Sequence, residues 1–197
     1  MKKIAVNMTT RFVELASKPI RNKNHIITLM FEAITLLTYG DILENPTNNY
    51  VVLRVDKMKR LFFVIEDKVY SFNFPFNIEI KEGERNPIIY DPVSDLELDA
   101  LNLTILRSAH EEMFYQDDGK GDILDLDSEL IQVIDCFDTN HNKDIIWKIF
   151  KMLLTFEAGY LRYDYDEKRE NGKLHPLNHL DINYSSEGTF KIGINNK

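Results

Sequence analysis

The chain has 197 residues, of which 44% are hydrophobic and 28% are charged, and its formal net charge is -8. These values are typical of a globular protein and disfavour extensive disorder. The acidic charge also disfavours a surface built to neutralise nucleic-acid phosphates, which is done by Lys and Arg.

Two helices are predicted near the amino terminus. Thr9 or Thr10 caps a short helix that ends near Pro19, because proline disfavours helical geometry in the residue before it. Asn24 is predicted to cap a longer helix, HIITLMFEAITLLTY, which Gly40 ends. The second helix has a broad apolar face, so we expect it to be central.

From Tyr50 the apolar residues recur with the period of two that is typical of β-strands. YVVLRV and LFFVIED predict a hairpin, with the cationic stretch from Lys57 to Arg60 as a solvated turn. A third run alternates most clearly, and its apolar members are expected to face one core: Tyr70, Phe72, Phe74, Phe76, Ile78 and Ile80. Pro75 cannot donate a backbone hydrogen bond, so this run is predicted to be an edge strand there, or bulged, or broken in two.

Three helices are predicted in the middle of the chain. Ser94 and Glu97 form a capping-box pattern that opens the first helix. Asp127 or Ser128 caps the second, ELIQVIDCF, and Asn142 caps the third. The carboxy-terminal runs YLRYDYD, LNHLDINYS and TFKIGI then predict a three-stranded meander.

Helices and strands are therefore segregated along the chain, which predicts an α+β fold. We expect a single domain over residues 1–197, with antiparallel β-meanders packed against about five helices. Cys136 cannot form an intramolecular disulfide because it is the only cysteine, and its apolar neighbours predict a buried, unreactive thiol. The start MKKIAVNMTT is too polar for a signal peptide, and no apolar run reaches the length of a membrane span. We expect a cytoplasmic protein with no membrane partner.

The runs YLRYDYD and LNHLDINYS contain the most informative polar residues. Alternate residues of a strand share a face, so pairing these runs as an antiparallel hairpin that buries their apolar residues collects one polar set on the other face. That set consists of Arg162, Asp164, Asp166, His179 and Asp181. Several carboxylates on one face require relief by Arg162, by a protonated histidine or by a bound cation.

Two interpretations of this face are open. In the first, a divalent metal such as manganese, zinc or iron is held by mixed oxygen and imidazole ligands, namely Asp164, Asp166, His179 and Asp181. His175 would then flank a metal-bound water, and the candidate catalytic residues are Asp164, Asp166, His175 and His179. In the second, the face is simply the wet side of an antiparallel sheet, with Arg162 paired to an aspartate.

The order RYDYD, a polar loop, HPLNHL and a short strand resembles the carboxy-terminal signature of an uncharacterised bacterial family. In that family an aromatic-Asp-Tyr-Asp run precedes a His-Pro-x-x-His-Leu segment. The matching residues here are Tyr163, Asp164, Tyr165, Asp166, His175, Pro176, His179 and Leu180. The resemblance implies a small cytoplasmic bacterial protein, associated with mobile-element or defence loci, without an established activity.

Two functions follow as hypotheses. The first is a non-enzymatic acidic binding protein, such as an immunity- or antitoxin-like partner or an accessory subunit of a defence or mobile-element system. Its partner would be a basic protein, with nucleic acid involved only indirectly, and the acidic stretch from Asp117 to Asp127 would be the contact surface. The second is a metal-dependent hydrolase or nuclease that uses the Asp and His residues between 162 and 181. The sequence does not decide whether the protein is an enzyme.

Overall fold

The structure, a computed structural model, describes residues 2–66, 68–114, 126–137, 143–182 and 190–194. In chain order, the elements of this part are β1 (Lys2–Asn7), α1 (Thr10–Ser17), α2 (Lys23–Tyr39), β2 (Tyr50–Val55), β3 (Lys59–Ile65), β4 (Lys68–Asn73), β5 (Asn77–Glu79), β6 (Ile88–Tyr90), α3 (Ala100–Phe114), α4 (Leu126–Asp135), α5 (Lys143–Thr155), β7 (Leu161–Tyr165), β8 (Asn178–Ile182) and β9 (Phe190–Gly193). The predicted α+β class is confirmed.

The chain forms two compact units, which are described separately. The first comprises Met1–Phe74 with Glu157–Lys197, and the second comprises Pro75–Phe156. The prediction of a single domain stays a prediction. None of the described helices has the length and apolar character needed to cross a membrane.

The first unit contains a seven-stranded sheet in the order β1-β2-β3-β4-β7-β8-β9, and every neighbouring pair is antiparallel. The predicted β2–β3 hairpin and the carboxy-terminal meander of β7, β8 and β9 are confirmed. Strand β1 was missed, because KKIAVN has too few alternations for a periodic signal. It pairs along its whole length with β2, with Ile4 opposite Leu53.

Helices α1 and α2 also belong to this unit. Thr9 caps α1 as predicted, since its Oγ1 accepts a hydrogen bond from Phe12 N. Helix α2 ends at Gly40 as predicted, but its N-cap is Asn22 and not Asn24. The backbone of Asn22 is extended, and its Oδ1 accepts from His25 N at 3.1 Å, whereas Asn24 is already inside the helix.

One face of the sheet forms the core of the unit with α1. Phe63 meets Phe12 of α1 edge to face and stacks on Tyr70 at a centroid distance of 4.8 Å. Phe72 lies against the same Phe63 ring and is fully buried. Tyr70 Oη donates to Ala16 O at 3.0 Å, which ties β4 to the end of α1.

The predicted solvated turn is shorter than expected, because Arg60 is part of β3. Its guanidinium donates to Asn73 Oδ1 at 2.9 Å, to Ser71 Oγ at 3.0 Å and to Gly159 O at 2.5 Å. Gly159 adopts a positive φ of 53° that favours glycine, and it immediately precedes the segment that enters β7. Arg60 therefore fixes the position at which β7 joins the sheet.

The long alternating run is broken at Pro75, as predicted. Strand β4 ends at Asn73, and β5 begins at Asn77 in the second unit. The apolar residues up to Phe76 are buried, whereas Ile78 and Ile80 are only partly buried. The expectation that all six apolar residues are core residues is therefore wrong for the last two.

The second unit contains the β5–β6 pair and the helices α3, α4 and α5. The predicted helix start at Ser94 is wrong, because Asp91 Oδ2 accepts hydrogen bonds from both Ser94 N and Ser94 Oγ and holds a turn there. Helix α3 starts at Ala100 instead, where Asp99 Oδ1 accepts from Asn102 N at 2.8 Å.

The predicted start of α4 is wrong, and the predicted cap of α5 is not among the described residues. Helix α4 begins at Leu126, before the predicted caps Asp127 and Ser128, which are therefore inside it. Helix α5 begins at Lys143, and its predicted cap Asn142 lies outside the described residues.

Cys136 is exposed, so the prediction of a buried thiol is wrong. Its neighbour Ile134 is buried. Cys136 lies in the turn that follows the last residue of α4, and its N–H donates to Gln132 O and Val133 O at 3.2 Å.

Candidate metal centre

The predicted hairpin of β7 and β8 is confirmed, and its register sets the site. Asp164 lies opposite His179, and Arg162 lies opposite Asp181. The third strand, β9, adds Lys191 opposite Asp181. Directly opposed residues of an antiparallel pair share a face, so these five side chains form one group, called here the polar cluster.

The polar cluster is on the buried side of the sheet, so the expectation of a wet face is wrong, whereas the expected pairing of Arg162 with an aspartate is confirmed. Arg162 pairs with the core residue Tyr70, which places the cluster on the face that α1 packs against. The exposed fractions of His179 and Asp181 are 0% and 2%. The apolar set, which was expected to be buried, is on the opposite face, where Leu161 and Ile192 are exposed.

His179 has a defined tautomer. Its Nδ1 lies 2.9 Å from Pro176 O, and a carbonyl oxygen can only accept, so Nδ1 holds the proton of the neutral ring. Nε2 faces the polar cluster, 3.1 Å from Lys191 Nζ and 3.6 Å from Asp164 Oδ2. Metal-binding histidines are held in this way, with the second ring nitrogen donating to a backbone carbonyl or a carboxylate.

The two carboxylates of the cluster are neutralised by two cations. Arg162 Nη2 lies 2.7 Å from Asp164 Oδ2 and 2.5 Å from Asp181 Oδ2. Lys191 Nζ lies 3.1 Å from Asp181 Oδ1, but the contact lacks the direction of a hydrogen bond, and this buried oxygen has no hydrogen bond to the described residues. The cluster is thus balanced in charge but incompletely satisfied in hydrogen bonding.

Three side chains of the cluster are close enough to share a metal ion. Their ligand atoms, one each from Asp164, His179 and Asp181, all lie within 4.8 Å of one another. Zinc bonds to nitrogen and oxygen are about 2.0 to 2.2 Å long, so ligands of one ion are at most about 4.4 Å apart. Arg162 Nη2 and Lys191 Nζ lie against these ligand atoms, so an ion would have to displace both cations.

Two further predicted residues, Asp166 and His175, lie beside this group but outside it. His175 Nε2 is 3.3 Å from Asp166 Oδ2, and the His175 ring meets the His179 ring edge to face at a centroid distance of 4.7 Å. Desolvation opposes ionisation of Asp166, but hydrogen bonds from Arg169 N and His175 outweigh it and lower the pKa of this carboxyl. Of the predicted metal ligands, Asp166 is the one that does not converge with the others.

A cleft of about 350 Å³ opens beside the cluster, and Asp164 and Arg162 line both. Its other charged residues are Glu66, Lys68, Asp166 and Arg169. Lys68 Nζ donates to Ser17 O at the end of α1, and desolvation lowers the pKa of this lysine. A larger cavity of about 620 Å³ borders Pro176 and Gly193 and includes none of the three converging ligands.

Sequence reasoning missed Lys191, although a signal was present. In TFKIGI the apolar Phe190 and Ile192 alternate with Lys191, so extending the face assignment to the third strand would have placed it with the cluster. The cleft could not have been found this way, because Lys68 and Arg162 are brought together only by the pairing of β4 with β7.

Comparison of the chain with family models, curated proteins and solved structures gives no match in any of the three. The resemblance of the carboxy-terminal segment to a bacterial family therefore stays a prediction. Residues 117–125 of the acidic stretch from Asp117 to Asp127, which was expected as a partner surface, lie outside the described residues, and so the hypothesis of an acidic binding protein also stays a prediction.

Proposed function

We propose that the protein is a divalent-metal-dependent hydrolase that binds its ion through Asp164, His179 and Asp181. The observation that supports this proposal is the convergence of Nε2 of a fully buried histidine, whose Nδ1 lies 2.9 Å from Pro176 O, with two carboxylates. Burying an imidazole in a fixed orientation costs free energy that solubility does not require, which indicates a functional role. Mixed nitrogen and oxygen ligands suit zinc, manganese or iron.

The ion would replace Lys191 as the partner of His179 Nε2 and Asp181 Oδ1. The side chain of Lys191 is 32% exposed, so its ammonium group can move towards water while its stem stays in place. Three protein ligands would leave a coordination position for water, as in catalytic metal sites.

The chemistry of such a site is hydrolysis. An ion held by Asp164, His179 and Asp181 would supply a water nucleophile, and for zinc the pKa of that water would be about 7. The water oxygen bonds to the electrophilic atom of the substrate, the bond to the leaving group breaks, and one proton of the water goes to the leaving group. His175, oriented by Asp166, is placed beside His179 as the group that relays this proton.

Metal binding is the first test. Isothermal titration with Mn²⁺ and Zn²⁺ should show one site per chain in the parent, and Asp164→Asn with Asp181→Asn should abolish it. The matched control is Asp56→Asn, which neutralises an exposed carboxylate of the same unit that pairs with Arg54. Circular dichroism of each variant checks that folding is retained.

Hydrolysis is the second test. Chromogenic phosphate, sulfate and carboxylate esters should be assayed with the metal-loaded parent and with the two-site Asn variant. We expect turnover of at least one ester class in the parent alone. Metal affinity that is the same in the parent and in the Asn variant would refute the site, and a loaded parent that hydrolyses none of these esters would refute the activity.

A further inference from the structure

We infer that the substrate of this site is a phosphate monoester, bound in the cleft beside Asp164. This inference rests on the proposed function and extends it to the class of substrate. The observation behind it is the balance of charge in the polar cluster and the cleft, together with the position of Arg162 between them.

The charged residues of the cluster and the cleft cancel one another. The carboxylates are Glu66, Asp164, Asp166 and Asp181, and the cations are Lys68, Arg162, Arg169 and Lys191. Four negative and four positive charges leave a net charge of zero. A divalent ion adds two positive charges and displaces the Lys191 ammonium towards water, which leaves a surplus of about one positive charge that favours an anion.

Arg162 is the residue that connects the two ligands. Its Nη2 is shared between Asp164 and Asp181, and its buried Nε makes no hydrogen bond to the described residues. If a metal took over the two carboxylates, the guanidinium would lose these two partners and keep its hydrogen bond with Tyr160, while its backbone stayed in the strand. The planar group of arginine matches phosphate oxygens through paired hydrogen bonds, which favours phosphate over a carboxylate ester.

The shape of the cleft favours a small monoester over a nucleic acid. A volume of about 350 Å³ is at the lower end of the range for small-molecule sites. Glu66 and Asp166 lie on its walls and would repel the neighbouring phosphates of a polymer.

These charges predict that metal and phosphate bind cooperatively. Each ligand removes the electrostatic penalty of the other, and by linkage the two enhancement factors must be equal. Phenyl phosphate is a suitable probe, titrated with and without saturating Mn²⁺. We expect its affinity to rise about tenfold with the metal, and the Mn²⁺ affinity to rise by the same factor with phenyl phosphate.

Arg169→Gln tests the cleft without altering a metal ligand. This arginine is at the rim, with a side chain that is 79% exposed and 3.8 Å from Asp166. The variant should bind phenyl phosphate several-fold more weakly in the presence of Mn²⁺ and should bind Mn²⁺ alone like the parent. Arg54→Gln, an exposed arginine on β2, is the control and should change neither affinity.

The outcomes separate this inference from the proposed function. Mn²⁺ binding that requires Asp164 and Asp181, but without coupling to phenyl phosphate, would overturn the substrate class and leave the metal site standing. Tighter binding of diphenyl phosphate than of phenyl phosphate would also overturn it. No Mn²⁺ binding at all would overturn both proposals.

Discussion

Replacing Lys191 with methionine should make the metal-free protein less stable and its metal binding stronger. Lys191 Nζ lies 3.1 Å from both His179 Nε2 and Asp181 Oδ1, the atoms that the proposed ion would bind. Methionine keeps the length of the side chain but removes its charge. The variant thus loses a neutralising cation and, at the same time, a competitor of the metal.

The magnitude follows from the contacts of this lysine. Breaking a fully buried ion pair costs about 3 to 5 kcal/mol, but the side chain of Lys191 is 32% exposed and water screens part of its charge. Hydrogen bonds to charged groups contribute about 1.5 to 3 kcal/mol, which is the loss we expect in the free energy of unfolding without metal. A metal concentration of one hundred times the dissociation constant restores about 2.7 kcal/mol.

The assay is urea unfolding of the parent and of Lys191→Met, each with EDTA and with excess Mn²⁺. The increase in unfolding free energy caused by Mn²⁺ should be larger in the variant, because no lysine has to be displaced. Lys3→Met, on the exposed edge strand β1, is the control and should respond to Mn²⁺ like the parent. A Mn²⁺ effect in Lys191→Met that is equal to or smaller than that of the parent would refute the placement of the ion.

Three further predictions concern the core, a buried histidine and the support of the site. Phe72→Ala removes a fully buried ring and should cost about 3 to 5 kcal/mol in urea unfolding; a loss below about 1 kcal/mol would contradict its place in the core. Burial lowers the pKa of His110 to about 4, below its ordinary 6.5. Between these two pH values the unfolded chain binds more protons than the folded chain, so the free energy of unfolding of the second unit should fall by about 3 kcal/mol as the pH drops from 6.5 to 4. In His110→Leu this decrease, followed by the fluorescence of the single tryptophan in that unit, should be smaller, and an unchanged pH profile would rule out the histidine as its source. Gly193→Ala places a Cβ 2.9 Å from the ring of Pro176, whose carbonyl orients His179. The variant should bind Mn²⁺ about tenfold more weakly in titration calorimetry, and an unchanged affinity would show that the orientation of His179 by Pro176 is not needed.

The local periodicity of the sequence determined most of the elements. Alternation over residues 50 to 65 and from 160 onward was enough to predict the β2–β3 hairpin and the β7–β9 meander, because the period of two depends only on neighbouring residues. The three- and four-residue spacing in α2, with Gly40 after it, was likewise a local signal. Helix starts were less predictable, since Ser94 matches a capping box but is held in a turn by Asp91.

The same alternation selected the residues of the candidate site but could not decide which face was buried. Periodicity shows that Asp164, His179 and Asp181 share a side, yet the apolar residues between them predicted the wrong side for the core. The decision came from the pairing of Arg162 with Tyr70, two residues far apart in the chain, and from α1, which packs on the Tyr70 face. Burial of a sheet face depends on what covers it, and that is a property of the tertiary structure alone.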